Sequence, residues 1–101
     1  MSKLSPRQQE LLTAMAGDDG RVLPWHDGYW ILASTPLVHT RFGGYDDFPA
    51  WHTSTTTVYA LESRGLLERE HATERGRPLP VWRDPRRLTE AGWTAAKEQV
   101  S

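Results

Sequence analysis

The sequence predicts a single α+β domain, residues 1–101, with about three helices, a β-hairpin in its N-terminal half and a second hairpin in its C-terminal half. Three stretches support this prediction. They are a helix start at residues 5–8, an Asp-Gly turn between two apolar runs in residues 21–33, and a helix, hairpin and helix in residues 53–92. The length suits one modest core, and we expect no separate sensory domain.

The first helix has three agreeing start signals. Ser5 is suited to cap the helix, Pro6 takes its first position, and Gln8 follows the cap by three residues, as in a capping box. The helix is expected to run to about Ala16 and to stop at Gly17. Its apolar stripe is expected to support the core.

Residues 21–33 are predicted to form a hairpin because an Asp-Gly turn separates two apolar runs. The following residues, 34–52, include two glycines and two prolines and show no convincing helical period. At most, a short helical turn is expected from Asp46 or Asp47 through Trp51. The alternative is a loop or an extra strand in this segment.

A second helix is predicted from about Thr53 to Arg64, ended by Gly65, which can take the left-handed conformation. Two strands, residues 66–73 and 79–83, are expected to follow around a tip at residues 74–78. On the helix, the 3.6-residue repeat separates a packing face from an exposed face. The packing face is expected to hold Ser54, Val58, Leu61 and Gly65. The exposed face is expected to hold Thr56, Tyr59, Ala60 and Ser63.

Thr89 is predicted to cap a last helix that reaches about Gln99 and buries Trp93 and Ala96. Gly92 in its first turn weakens the helix by about 1 kcal/mol relative to alanine. Close packing against a neighbour would explain this glycine.

The five tryptophans are expected to supply much of the core, because hydrophobic residues make up only 38% of the chain. Trp30 and Trp82 each lie in a strand pattern and are expected to face inward. Stacking platforms for single-stranded bases are the alternative role for such rings.

Charge is distributed unevenly along the chain. The net charge is −1, but residues 64–87 hold seven arginines and four acidic residues, a local charge of +3. This asymmetry favours one surface that faces nucleic acid. A hairpin whose charged side chains are merely solvated is the alternative.

Three groups of residues resemble the winged helix-turn-helix superfamily, in particular the MarR-like and PadR-like bacterial regulators. They are Val58-x-x-Leu61-x-x-x-Gly65-Leu66-Leu67, the basic tip Arg75-Gly76-Arg77, and Leu88-Thr89-Glu90-Ala91-Gly92 at the start of the last helix. The resemblance covers roughly residues 53–99. The chain departs from the superfamily at residues 34–52, where a second helix would stand, and from PadR-like proteins in having Tyr59 about one helical turn closer to the glycine.

The resemblance implies a winged-helix domain that binds double-stranded DNA as a small transcriptional regulator and a homodimer. The helix at residues 53–64 would enter the major groove, and the tip at residues 74–78 would reach the minor groove or the backbone. The expected DNA-binding residues are Thr53, Ser54, Thr55, Thr56, Tyr59, Ser63, Arg64, Arg75, Arg77, Arg83, Arg86 and Arg87.

The rival hypothesis is a winged-helix module that binds protein, such as a small accessory or phage- or plasmid-type inhibitor. Asp46 and Asp47 favour it, because carboxylates just before the recognition helix would repel phosphate. Residues 34–52 would then form the partner surface.

Other functions find little support in the sequence. The four histidines lack the spacing of a metal face, and there is no nucleophile elbow and no phosphate-binding loop, so neither a cofactor nor enzymatic activity is expected. There is no cysteine, no apolar run long enough to span a bilayer and no signal peptide core. We therefore expect no membrane association and a cytoplasmic location.

Overall fold

Helix α1 (Pro6–Ala16) begins as its capping residues predict. The Ser5 hydroxyl accepts a hydrogen bond from the Gln8 backbone N–H at 3.2 Å, and the Gln8 side chain accepts one from the Ser5 N–H at 3.1 Å. Leu11, Leu12 and Met15 point into the core and are fully buried. This helix therefore supplies one wall of the core.

The computed structural model describes residues 4–25, 28–35, 37–39, 47–49 and 51–100, which form an α+β domain. The helices after α1 are α2 (Thr55–Ser63) and α3 (Glu90–Val100), with a short 3-10 turn at Val81–Arg83. The strands are β1 (Arg21–Pro24), β2 (Tyr29–Ile31), β3 (Leu37–His39), β4 (Asp47–Pro49), β5 (Thr53–Ser54), β6 (Leu67–Arg69), β7 (Thr73–Glu74), β8 (Arg77–Pro78) and β9 (Arg86–Leu88). No helix among these residues is both long and apolar enough to cross a bilayer.

Five strands form one antiparallel sheet in the order β5-β2-β1-β9-β6. Val22 lies opposite Arg86, and Leu67 lies opposite Leu88. The pairs β3-β4 and β7-β8 form separate two-stranded sheets. Helix α1 packs against α2 and α3, and the buried core between helices and sheet holds Leu11, Leu12, Met15, Val22, Trp30, Val58, Leu61, Leu67, Leu88 and Ala96.

The predicted hairpin at residues 21–33 is confirmed by the β1-β2 pair, with Leu23 opposite Ile31. Its Asp-Gly turn includes residues 26 and 27, which lie outside the described residues. The helical turn expected from Asp46 or Asp47 is wrong for the described part of that segment, because residues 47–49 form strand β4 opposite β3. Extra strands, the alternative considered for this segment, are what the structure has there.

The prediction of two strands around the tip, at residues 66–73 and 79–83, is partly wrong. The first ends at Arg69, because His71 takes a left-handed φ of 55° and the His71 and Ala72 N–H groups donate to the Asp84 carboxylate instead of a neighbouring strand. The second predicted strand, at residues 79–83, is absent, and the 3-10 turn Val81–Arg83 lies within this range. Prolines at positions 78 and 80 provide no N–H for a ladder. The strand that returns along β6 is β9.

The tryptophans divide between core and surface. Trp30 is 2% exposed, as predicted, but Trp82 is 66% exposed because it lies on the 3-10 turn and not on a strand. The inward orientation predicted for Trp82 is therefore wrong. Trp93, also predicted to be buried, is 37% exposed, and its ring covers Gly20.

Helix α3 begins where Thr89 caps it. The Thr89 hydroxyl accepts from the Gly92 N–H at 3.0 Å and donates to the Gly65 carbonyl at 2.7 Å. A Cβ on Gly92 would stand 2.1 Å from the Leu66 carbonyl oxygen. The Leu66 backbone thus approaches the first turn of α3 so closely that only glycine fits at position 92.

We expect Gly92→Ala to lower the free energy of unfolding by about 1–3 kcal/mol, as overpacking does, although alanine is the better helix former. Gly17→Ala is the matched control, since a Cβ there would meet only carbonyl oxygens at 3.7 and 3.8 Å and φ is −83°. Urea denaturation measures both variants. Equal stability of the two would contradict the steric explanation.

Candidate nucleic-acid interface

The β7–β8 hairpin ends in a tight turn made by Arg75 and Gly76. Both residues have positive φ, 53° and 79°, as the two central residues of a type I′ turn do. Glu74 and Arg77 pair across the base of this turn. The geometry projects the tip into solvent, where all four residues are exposed.

Three arginines of this region surround one open cleft of about 590 Å³. We call it the arginine cleft; it is lined by Glu74, Arg75, Arg77, Pro78, Leu79, Pro80 and Arg83. Arg75 and Arg77 form no ion pair with any residue that the structure describes. Arg83 lies 3.5 Å from Glu74, and both side chains are at least half exposed, so this pair contributes at most about 1 kcal/mol and can open.

The arginine cleft has the chemistry of an anion site. Guanidinium groups bind phosphate or carboxylate in a planar, two-pronged geometry and repel metal cations. The one carboxylate in the lining leaves a charge of +2. Within the described ranges, no three His, Cys, Asp or Glu side chains converge as metal ligands would.

Asp84 fixes the base of the hairpin from inside the fold. Its fully buried carboxylate accepts hydrogen bonds from Arg69 Nε at 2.7 Å and from the His71 and Ala72 N–H groups at 3.1 Å. Burial by itself raises the pKa of Asp84, but the hydrogen bonds from Arg69, Ala72 and His71 outweigh burial and hold the pKa below its ordinary value. Arg69 also donates to the Leu79 carbonyl at 3.2 Å, which ties the two arms of the hairpin together.

The sequence predicts Arg86 at the surface, but the residue is fully buried. Its guanidinium carbon lies 5.4 Å from the centroid of the Trp30 ring and 5.5 Å from that of the Tyr59 ring. A guanidinium over aromatic rings gains cation–π attraction, which is stronger away from water. The Arg86 charge therefore interacts with groups inside the fold. The prediction that Arg86 lies on the flank of a DNA interface is wrong.

The same guanidinium joins α2 to the 3-10 turn. Arg86 Nε donates to the Glu62 carboxylate of α2, and Nη1 donates to the carbonyls of Val81, at 2.9 Å, and Asp84. Nη2 makes no hydrogen bond to any residue in the part of the chain that the structure describes. The C-terminal half of α2 is thus held against the segment that carries Arg83.

The start of α2 differs from the prediction. The helix begins at Thr55, while Thr53 lies buried in β5 and Ser54 is the N-cap. The Thr55 hydroxyl accepts from Trp30 Nε1 at 3.0 Å and donates to the Gly28 carbonyl at 2.9 Å. The Thr53 and Thr55 side chains are therefore engaged within the fold and do not form part of an exposed helix start.

Tyr59 was expected on the exposed face of α2, and this is wrong: the residue is half-buried, packs against the core and lies over Arg86. Thr56 and Ser63 are exposed, as predicted, whereas Ala60 of the same predicted face is half-buried; Arg64 is also exposed. Arg87 is exposed and paired with Glu68 at 2.8 Å. Apart from Arg87, the expected DNA-binding residues that are exposed therefore lie in two groups, one on and just after α2 and the other in the arginine cleft.

Sequence reasoning missed two residues of this region, Asp84 as a buried anchor and Trp82 as an exposed ring. The signal in the sequence is the three prolines at 78, 80 and 85, because none of them can donate an N–H to one continuous strand between the tip and β9. The partner surface considered in residues 34–52 lies partly outside the described residues, Asp46 included. Asp47 lies on β4.

We expect acid unfolding to depend on Asp84. An aspartate whose pKa is lowered on folding contributes stability above its unfolded pKa of about 3.9, and the contribution is lost as the pH falls through the folded value. Asp84→Asn should therefore lower the free energy of unfolding at pH 7 by about 2–3 kcal/mol and flatten its decline below about pH 5. Urea titrations from neutral to acidic pH measure this. Glu68→Gln, at an exposed ion pair, is the control, and an equally steep decline in Asp84→Asn would count against the assignment.

Tyr59→Ala should lower the free energy of unfolding by about 2 kcal/mol, because it removes core packing and one of the two rings over Arg86. Thr56→Ala, one turn earlier and exposed, should stay within about 0.5 kcal/mol of the parent protein. Chemical denaturation compares the two. If Tyr59→Ala unfolds at the parent midpoint, the ring does not support Arg86.

Comparison of the chain with known proteins gives no match. No protein-family model, no curated protein and no solved structure matches the chain. The hypotheses that follow therefore rest on the residues and geometry of this chain.

Proposed function

We propose that the protein binds double-stranded DNA and acts as a small transcriptional regulator of winged-helix type. The observation that carries the proposal is the pair Arg75 and Arg77, two exposed cations at a projecting tip with no ion pair among the described residues. Cations in that state release counterions from a phosphate backbone at little cost to the fold. Arg83 adds a third charge in the same cleft.

The order of elements supports the winged-helix part of the proposal. Helix α2 is followed by β6, the β7–β8 hairpin and β9, and β9 lies between β1 and β6 in the sheet. The hairpin would serve as the wing, and α2 as the recognition helix. Between β1 and α2 the described residues form strands β2 to β5, whereas the superfamily has a second helix before the recognition helix. We therefore assign the larger share of the proposed interface to the β7–β8 hairpin.

Helix α2 would contribute a narrow set of contacts. Thr56, Ser63 and Arg64 are exposed, and the proposal assigns contacts with base edges or phosphates to them. The Thr55 hydroxyl is bonded to Trp30, and Tyr59 lies over Arg86. The Arg86 bridge keeps α2 in a fixed position relative to the segment before β9. Since few side chains of this helix are exposed, sequence discrimination would require two copies, and we propose a homodimer on two related half-sites.

The double variant Arg75→Ala/Arg77→Ala tests the proposal. Loss of two phosphate contacts should lower the slope of log affinity against log salt by about 1.8 on a random-sequence duplex. Stability should stay within about 0.5 kcal/mol, because both side chains are exposed and unpaired with described residues. Fluorescence anisotropy at several salt concentrations measures the slope.

The matched control is Arg7→Ala/Lys97→Ala, which removes the same charge from exposed positions of α1 and α3, outside the arginine cleft. Its slope should remain close to that of the parent protein. An unchanged affinity and slope in the Arg75/Arg77 variant would remove the hairpin from the interface and favour the protein-binding hypothesis. Light scattering that finds a monomer bound to one half-site would contradict the dimer.

A further inference from the structure

A second cleft opens beside the arginine cleft. It has a volume of about 260 Å³, is lined by Pro24, Trp25, Trp82 and Arg83, and is called here the tryptophan cleft. Arg83 lines both clefts, so the two adjoin at this residue. Trp82 is 66% exposed and Trp25 is half-buried. A large aromatic face thus stands next to a row of cations.

The exposure of Trp82 is built into the fold. On one side of it, the Val81 carbonyl accepts from the buried Arg86 guanidinium at 2.9 Å. On the other, the Arg83 N–H donates to the Pro80 carbonyl at 2.9 Å. The segment before them is tied by the Leu79 N–H to the Ala72 carbonyl at 3.0 Å. An exposed ring on a backbone held in this way is preorganised for contact, so little conformational entropy is lost when a ligand binds.

The chemistry of the combined surface fits a nucleotide. A flat aromatic face accepts any base by stacking, and neighbouring guanidinium groups bind the phosphates of the same strand. A peptide finds fewer partners, because prolines 24, 78 and 80 have no N–H to offer its backbone and because Glu74 is the one carboxylate in the two linings. Three arginines against that single carboxylate make the surface complementary to a polyanion.

The base that stacks here has to be unpaired. In an intact duplex the faces of the bases are covered by their neighbours, and only the edges are open in the grooves. Base faces become available in single strands, bulges and frayed ends. The aromatic face therefore selects a nucleic acid form that the hairpin arginines alone would not distinguish.

We propose that the tryptophan cleft binds an unpaired base of a single-stranded nucleic acid, stacked on Trp82, while the phosphates of the strand follow the arginine cleft. This inference rests on the proposed function in that the same arginines hold the phosphates. It adds a second form of nucleic acid to the duplex. The Trp82 ring, which contributes little to the core, then has a ligand.

The test compares a labelled oligothymidylate of about 12 nucleotides with a blunt duplex of the same length, both by fluorescence anisotropy. Trp82→Ala should weaken single-strand binding at least fivefold and leave the blunt duplex unaffected, since stacking acts on the unpaired base alone. Val81→Ala, on the same turn but outside both linings, is the matched control and should bind both ligands as the parent protein does. Arg83→Gln should lower the salt slope for the single strand by about 0.7.

Tryptophan emission provides a second measurement that needs no truncation of the side chain. A base stacked on Trp82 should quench the emission of the parent protein, and Trp82→Phe should lose that part of the quench while keeping most of the affinity. Circular dichroism of each variant verifies that it is folded.

The outcomes separate this inference from the proposed function. Duplex binding without oligothymidylate binding overturns the inference and leaves the function standing. The same holds if Trp82→Ala binds the single strand as tightly as the parent protein. Oligothymidylate binding that depends on Trp82, without duplex binding, supports the inference and overturns the duplex proposal. Absence of binding to both ligands overturns both.

Discussion

The position of α2 depends on one buried cation. Arg86 comes from β9, which lies between β1 and β6 in the sheet; its guanidinium lies over the rings of Trp30 and Tyr59 and donates to Glu62 on the helix. Removing a guanidinium from water is expensive unless its donors and its charge are matched. Here a carboxylate and two carbonyls accept hydrogen bonds from Nε and Nη1, and two aromatic rings lie near the charge, while Nη2 has no partner among the described residues. These contacts form only when helix, strand and 3-10 turn meet in one arrangement. The interaction therefore ties the position of α2 to that of β9 and the 3-10 turn.

Asp84, two residues before Arg86, does the same for the hairpin. Its carboxylate accepts hydrogen bonds from the N–H groups of His71 and Ala72, just beyond the end of β6 at Arg69. The hairpin and the 3-10 turn are thus placed by polar contacts, while the hydrophobic core lies under α1, α2 and α3. Both candidate clefts stand on this polar part of the molecule, so substitutions in the apolar core and substitutions at residues 84 and 86 should affect them differently.

The elements that the sequence predicts correctly are those with local signals. The capping box of α1, the apolar runs of β1 and β2 and the threonine cap of α3 each act within a few residues, so they can be recognised from a short stretch of chain. The 3-10 turn and the return strand β9 depend on contacts made by Asp84 and Arg86 across 12 to 24 residues. Arginine is rarely buried, and composition gives no warning of such a case. For that reason the helical period predicts Tyr59 on the exposed face, and the strand pattern predicts that Trp82 faces inward.

The left-handed conformation of Arg75 has a consequence for how this turn can vary. Asparagine and glycine enter that region of φ more easily than a long side chain does, and the difference amounts to about 1 kcal/mol. Fold stability alone would thus favour an Asn-Gly or Gly-Gly tip over Arg-Gly. At the second position of the turn, Gly76 adopts its positive φ without the steric cost that a side chain would bring. A variant library selected only for folding should therefore drift away from arginine at position 75 while keeping the hairpin, which would separate what the turn needs from what its charge provides.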